Sequence, residues 1–151
     1  MSAVNTAEQG GRPSLIERDA RRSGGARLSL LWVFAVLNYL YCDLLGLTDA
    51  AMLKQYLTGT VEGVHFTQGF LLAAGLLMEI PIAMVVLSSF LPHAASRWAN
   101  IIAGSVMTLV QIGSLMLGRP TIYYAFFSAV EIACTVFIVV YAWRWRPRRN
   151  A

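Results

Sequence analysis

Four long apolar runs constrain this sequence more than any other feature, because each is long enough to cross a membrane. A helix needs about 20 apolar residues to cross a hydrocarbon core of about 30 Å. No water reaches backbone polar groups there, so such runs are expected to be helical. Buried helices of a soluble protein would need shorter runs, each with a polar face. The sequence therefore predicts an all-α integral membrane four-helix bundle. The predicted spans are 28–47, 66–91, 98–117 and 122–143.

Composition supports a membrane protein, and the distribution of positive charge predicts its orientation. Only 13% of the residues are charged, against about 25% in soluble domains. Two of the 12 Lys and Arg residues, Lys54 and Arg119, lie in the connectors after spans one and three. The positive-inside rule therefore predicts that both termini are cytoplasmic. The other ten are Arg12, Arg18, Arg21, Arg22, Arg27, Arg97, Arg144, Arg146, Arg148 and Arg149.

The positions of the basic residues also decide how the net charge of +4 is interpreted. Basic residues that flank membrane spans are expected to contact anionic lipid headgroups, so no nucleic-acid partner is predicted. The domain prediction follows: a basic, partly disordered N-terminal segment over 1–27, a transmembrane domain over 28–145 and a basic tail over 146–151. The first span is expected to be retained rather than cleaved, because it is longer than the apolar part of a signal peptide.

Two connecting segments carry helix signals. Ser14 and Glu17 have capping-box spacing, which predicts a short surface helix over 14–22. The sequence SGG after it is expected to separate this helix from the first span. In the outer connector TDAAMLKQYLTGT, Asp49 and Gly59 are placed to begin and end a short amphipathic helix.

Two glutamates lie near the middle of predicted spans. Glu79 belongs to span two and Glu131 to span four, and no Lys, Arg or His lies in the core of any span. A charged side chain at the bilayer centre costs at least about 2.5–3.5 kcal/mol on insertion scales. Each glutamate is therefore expected to face a polar interior. There it would be protonated, share a proton with the other or bind a cation from outside. Pro81 is expected to kink span two beside Glu79.

Further polar side chains recur along the spans at helical spacing, which predicts that they face the bundle interior. Together with the glutamates they form the predicted ligand- or proton-binding site. The amides of Asn38 and Gln111 have an alternative interpretation as hydrogen bonds between helices. The predicted site residues are Glu79, Glu131, Asn38, Asp43, Gln111, Tyr124 and Thr135.

Other chemistries find no support in the sequence. It has no Glu-x-x-His pair, no zinc-type spacing, no phosphate-binding glycine loop and no GxSxG elbow. No catalytic residue, metal or cofactor is therefore predicted. Cys42 and Cys134 lie inside predicted spans without a CxxC motif, and each is expected to be a buried apolar filler.

Four segments carry a family resemblance: NYLYCD, MEIPIAMVV, NIIAG and GRPTIYYAFFSAVEIACT. In these the chain resembles uncharacterised bacterial four-span membrane proteins that form a domain of unknown function near the DoxX-like group. The resemblance covers about residues 28–145. It implies a four-helix bundle in a bacterial inner membrane and assigns no catalytic residue.

Three functional hypotheses remain open. In the first, the acidic interior binds or transports a proton, a cation or a small amphiphilic ligand. In the second, the polar stripes only join helices in an accessory subunit of a larger membrane complex. In the third, the glutamates serve a membrane enzyme that acts on a lipid or isoprenoid. Oligomeric state stays open, because small residues allow close helix contacts within one bundle or between two; they are Gly69, Gly75, Gly104 and Gly113.

Overall fold

A computed structural model describes residues 15–61, 63–116 and 120–145. These residues form five helices and one short hairpin. Four of the helices are long and apolar enough to cross a membrane, which confirms the four predicted apolar helices. The elements are α1 (Leu15–Thr48), α2 (Ala50–Thr58), β1 (Thr60–Val61), β2 (Val64–His65), α3 (Gln68–Phe90), α4 (His93–Met116) and α5 (Ile122–Arg144).

Two helix boundaries differ from the prediction. The SGG sequence does not interrupt α1, which is one helix from Leu15 to Thr48. The reason is packing: a Cβ atom at Gly25 would lie 2.7 Å from the carbonyl oxygen of Ser88, so this glycine allows α1 and α3 to approach closely. Helix α4 begins at His93 rather than at residue 98. Residues 1–14 of the predicted N-terminal segment 1–27 and the predicted tail 146–151 lie outside the described residues.

The four long helices form a bundle in which each packs mainly on two neighbours. Helix α1 packs against α3 and α5, and α4 packs against α3 and α5. Helices α3 and α5 therefore lie diagonally opposite each other. Helices α4 and α5 approach closely at Gly104, where an added Cβ atom would lie 3.2 Å from the carbonyl oxygen of Thr135. Small residues at such crossings are typical of membrane helices.

A buried hydrogen-bond network joins α1, α3 and α4 around Asn100. The indole nitrogen of Trp32 donates to the side-chain oxygen of Asn100 at 2.7 Å, and the Ser88 hydroxyl donates to the same atom at 3.1 Å. The Asn100 amide nitrogen in turn donates to the carbonyl oxygen of Ser96 at 2.7 Å. Because both ends of the amide are satisfied, Asn100 serves the packing of the bundle. The apolar core around it includes Leu28, Trp32, Met107 and Ile138.

The connector between α1 and α3 forms α2 and a small antiparallel hairpin that the sequence did not predict. The Asp49 carboxylate accepts hydrogen bonds from the backbone N–H groups of Ala51 and Met52 at 2.9 and 3.3 Å. Gly59 ends α2 with φ of 71°. Burial, followed by the nearby charge of Asp43, raises the pKa of the Tyr56 phenol on α2. Helix α2 therefore stands over the end of α1 that carries Asp43.

Candidate functional site

The two membrane glutamates do not meet. Glu131 on α5 is only 1% exposed, whereas Glu79 is exposed on the outer surface of α3. Pro81 and Met84 are buried and mark the inner face of α3. Glu79 precedes Pro81 by two residues, which places it about 200° around the helix. The prediction that Glu79 faces the interior is therefore wrong.

The acid that accompanies Glu131 is Asp43 on the neighbouring helix α1. The two carboxyl groups lie within electrostatic range of each other, and the Tyr39 hydroxyl lies within range of Glu131. Tyr39 and Asp43 are four residues apart on α1, so they share one face of the helix. We call Tyr39, Asp43 and Glu131 the acidic site. Asp43 and Glu131 were predicted as site residues from the sequence, whereas Tyr39 was not.

Two atoms of the acidic site are buried without a hydrogen-bond partner among the described residues. They are Oε1 of Glu131 and the hydroxyl oxygen of Tyr39. Most buried polar atoms in proteins have a partner, so each exception requires an explanation. An unsatisfied buried polar group costs about 1–3 kcal/mol. The acidic site therefore offers unused hydrogen-bonding capacity inside a membrane-sized bundle.

A cavity of about 280 Å³ lies next to the acidic site, between α1 and α3. Asp43 and the Tyr39 ring belong to its wall, and the remaining side chains are apolar. It opens to the outside of the bundle, where Leu40 and Ile82 are 59% and 46% exposed. Pro81 lies in the wall without breaking α3. The lining residues are Val36, Tyr39, Leu40, Asp43, Met78, Pro81 and Ile82.

Three other predicted site residues join α4 to α5 instead. The Gln111 amide nitrogen donates to the Ser128 hydroxyl at 2.7 Å, and the Tyr124 hydroxyl donates to Ser114 at 2.8 Å. The Thr135 hydroxyl shares a hydrogen bond of 2.8 Å with Thr108. These contacts agree with the alternative interpretation of the polar stripes as interhelical hydrogen bonds.

Tyr124 nevertheless lies within electrostatic range of Glu131 and Asp43. Asn38 is half-buried on α1, outside the cavity wall.

The chemistry of the site is that of an acidic group beside an apolar pocket. In the described part of the chain, no group of three or more His, Cys, Asp and Glu side chains is arranged to hold a metal ion. Cys42 and Cys134 are buried free thiols, and the Cys134 thiol donates to the carbonyl oxygen of Leu31 at 3.6 Å. An apolar pocket with a few converging polar groups is the usual form of a small-molecule site.

A family model matches residues 14–151, which is nearly the whole chain. The chain belongs to DUF6326, a family of unknown function. This agrees with the resemblance to an uncharacterised domain, and the likeness to the DoxX group stays a prediction. No curated protein and no solved structure matches the chain.

Proposed function

We propose that this protein binds small cationic amphiphiles in a bacterial inner membrane. The polar head would occupy the acidic site, and the apolar body would fill the cavity between α1 and α3. The observation that carries the proposal is that Asp43 and Tyr39 line this cavity, while the Tyr39 hydroxyl oxygen and Oε1 of Glu131 are buried without a partner among the described residues.

Charge favours a cationic head. Two carboxyl groups, those of Asp43 and Glu131, lie within range of each other. The basic residues of the described spans stand near span ends, as Arg27, Arg97 and Arg144 do. Two neighbouring carboxyl groups without a cation repel each other when both are charged. The charge of a ligand cation would relieve that repulsion.

The shape of the cavity favours an amphiphile over a bare ion. Apart from Asp43 and Tyr39, the wall consists of aliphatic side chains, Met78 and Pro81. A hydrated ion would lose its water there without gaining replacement ligands. An alkyl or aromatic body, by contrast, gains about 25 cal/mol for each Å² of apolar surface removed from water. The opening between Leu40 and Ile82 would admit such a molecule directly from the lipid.

Thermal unfolding in lipid nanodiscs tests the proposal with three probes of equal chain length. These are dodecyltrimethylammonium, a neutral dodecyl glycoside and dodecyl sulfate, all below their micelle concentrations. The ammonium probe is expected to raise Tm by about 5–10 °C at 100 times its Kd, because a ligand specific to the folded state stabilises it. The neutral and anionic probes are expected to raise Tm much less.

Variants assign that shift to the site. Asp43→Asn combined with Glu131→Gln is expected to abolish the preference for the ammonium head. Ile82→Trp should fill the cavity and weaken binding of all three probes. The matched controls are Glu79→Gln, which changes an acid outside the site, and Ile102→Trp, which adds an indole at an exposed position of α4. Equal shifts for the three probes, or an unchanged preference in the double variant, would contradict the proposal.

A second candidate is an accessory subunit, favoured by the hydrogen bonds between α4 and α5. Gln111, Tyr124 and Thr135 all have side-chain partners on the opposite helix, as expected of residues that only hold a bundle together. In that case none of the three probes would stabilise the protein, and the double variant would alter only its unfolding temperature.

A further inference from the structure

Helix α3 carries a carboxyl group on the outside of the bundle, at the middle of a helix long and apolar enough to cross a membrane. Glu79 lies at the centre of the helix, equally far from Gln68 and Phe90, and is exposed. Of the apolar window of α3, 11% is buried in the bundle, against 28–33% in the other three spans. Helix α3 is thus the least covered span, and its middle holds the side chain that lipid solvates worst.

Exposed residues before and after Glu79 lie on the same outer side of α3. Offsets of three, four and seven residues place them on one side of the helix. Gly75 lies one turn from Glu79, and an added Cβ atom there would meet nothing within 4 Å. The open space beside Gly75 leaves room for the backbone of another helix. We call this stripe the Glu79 face: Leu72, Gly75, Leu76, Glu79, Val86 and Phe90.

We propose that the Glu79 face is the interface of a homodimer, in which the two Glu79 carboxyl groups hydrogen-bond to each other. A protonated carboxyl group has both a hydrogen-bond donor and an acceptor. It can therefore pair with the same carboxyl group of a second copy without a basic partner. The lipid-facing carboxyl groups would thereby be removed from hydrocarbon. The Glu79 carboxyl group itself lies outside the cavity wall, although Ile82, three residues further along α3, belongs to that wall.

Symmetry favours a second copy over another protein as the occupant. Two copies in one membrane have the same orientation, so a twofold axis along the membrane normal places their α3 helices parallel. The two Glu79 side chains then lie at the same depth without further adjustment. Twofold dimers are also the commonest oligomers, and their interfaces are made of the same patch on both subunits. A different partner would need a matching polar group at that depth.

Disulfide cross-linking of the full chain in liposomes tests the interface. Single cysteines are placed in a background with Cys42→Ala and Cys134→Ala. Leu76→Cys lies on the Glu79 face, and Leu109→Cys lies at a similarly exposed position of α4, since Leu76 and Leu109 are 65% and 68% exposed. Because a twofold interface brings identical residues together, oxidation is expected to give a covalent dimer of the Leu76→Cys variant and little dimer of the Leu109→Cys variant.

The role of the carboxyl group is tested by single-molecule photobleaching of the labelled protein across a range of protein-to-lipid ratios. Glu79→Leu is expected to raise the dimer dissociation constant by about 3- to 30-fold, the range for interhelical hydrogen bonds in membranes. Glu79→Gln keeps a donor and an acceptor and should retain most of the dimer. Gly75→Leu should weaken it by filling the gap. A protein that stays monomeric at high density, cross-links only through Leu109→Cys, or dimerises unchanged as Glu79→Leu would overturn the proposal.

Discussion

At the residue scale, the polar side chains of the spans divide into satisfied and unsatisfied groups. Asn100 represents the first group, since its amide accepts from Trp32 and Ser88 and donates to Ser96. Glu131 represents the second, because one of its carboxyl oxygens is buried without a partner among the described residues. A buried polar group with hydrogen-bond partners is explained by its contribution to stability, whereas a buried polar group without partners indicates a ligand site. The proposed function depends on this contrast.

Asn100→Ala is therefore expected to destabilise the bundle. It leaves the buried indole N–H of Trp32 and the buried hydroxyl of Ser88 without their acceptor, at a cost of about 1–3 kcal/mol in the free energy of unfolding. The measurement is reversible unfolding in mixed micelles. The matched control is Asn38→Ala, because Asn38 is only half-buried and should cost less. An equal loss for the two variants would show that the Asn100 network does not stabilise the fold.

At the scale of the element, the lengths of α3 and α5 were readable from the sequence, and the inward face of α3 was not. Apolar runs predicted spans two and four to within a few residues of α3 and α5. Helix α3 is apolar almost all round, because lipid and bundle core both accept such side chains. The periodicity that identifies the inner face of a soluble helix is therefore weak there. Glu79 was expected in the interior because of the cost of a charge in hydrocarbon, and the weak periodicity gave no sign that it is exposed.

Packing between elements was the other part that the sequence did not reveal. Gly25 appeared to belong to a flexible link, yet it lies against the carbonyl of Ser88 inside a continuous helix. The partner of Glu131 depends on which helices are neighbours. Helix α5 packs against α1 and does not pack against α3. For that reason Asp43 on α1, rather than Glu79 on α3, lies near Glu131. Neither fact follows from residue spacing along one helix.

At the scale of the whole molecule, the charge asymmetry predicts which side of the membrane each connector occupies. Leu57 on α2 is 81% exposed, and Ala94 is exposed near the start of α4. A Leu57→Cys variant is expected to react with a membrane-impermeant maleimide in intact cells, and an Ala94→Cys variant only after permeabilisation. The reverse pattern would place α2 on the cytoplasmic side and invert the proposed orientation.

The whole molecule is a four-helix bundle with two acidic features. One is the acidic site beside the cavity between α1 and α3, proposed to bind a cationic head. The other is the Glu79 face, proposed to hold two copies together. Asp43 belongs to the cavity wall and Glu79 does not, so the two features can be distinguished in one experiment.

The most direct test of the acidic site is labelling with a hydrophobic carbodiimide, which adds to a protonated carboxyl group in an apolar environment and leaves an N-acylurea. Mass spectrometry of peptides then reports Asp43 and Glu79 in the same sample. Saturating dodecyltrimethylammonium is expected to suppress labelling of Asp43 severalfold and to leave labelling of Glu79 unchanged. If labelling of Asp43 is the same with and without the amphiphile, the acidic site does not bind it, and the proposed function is wrong.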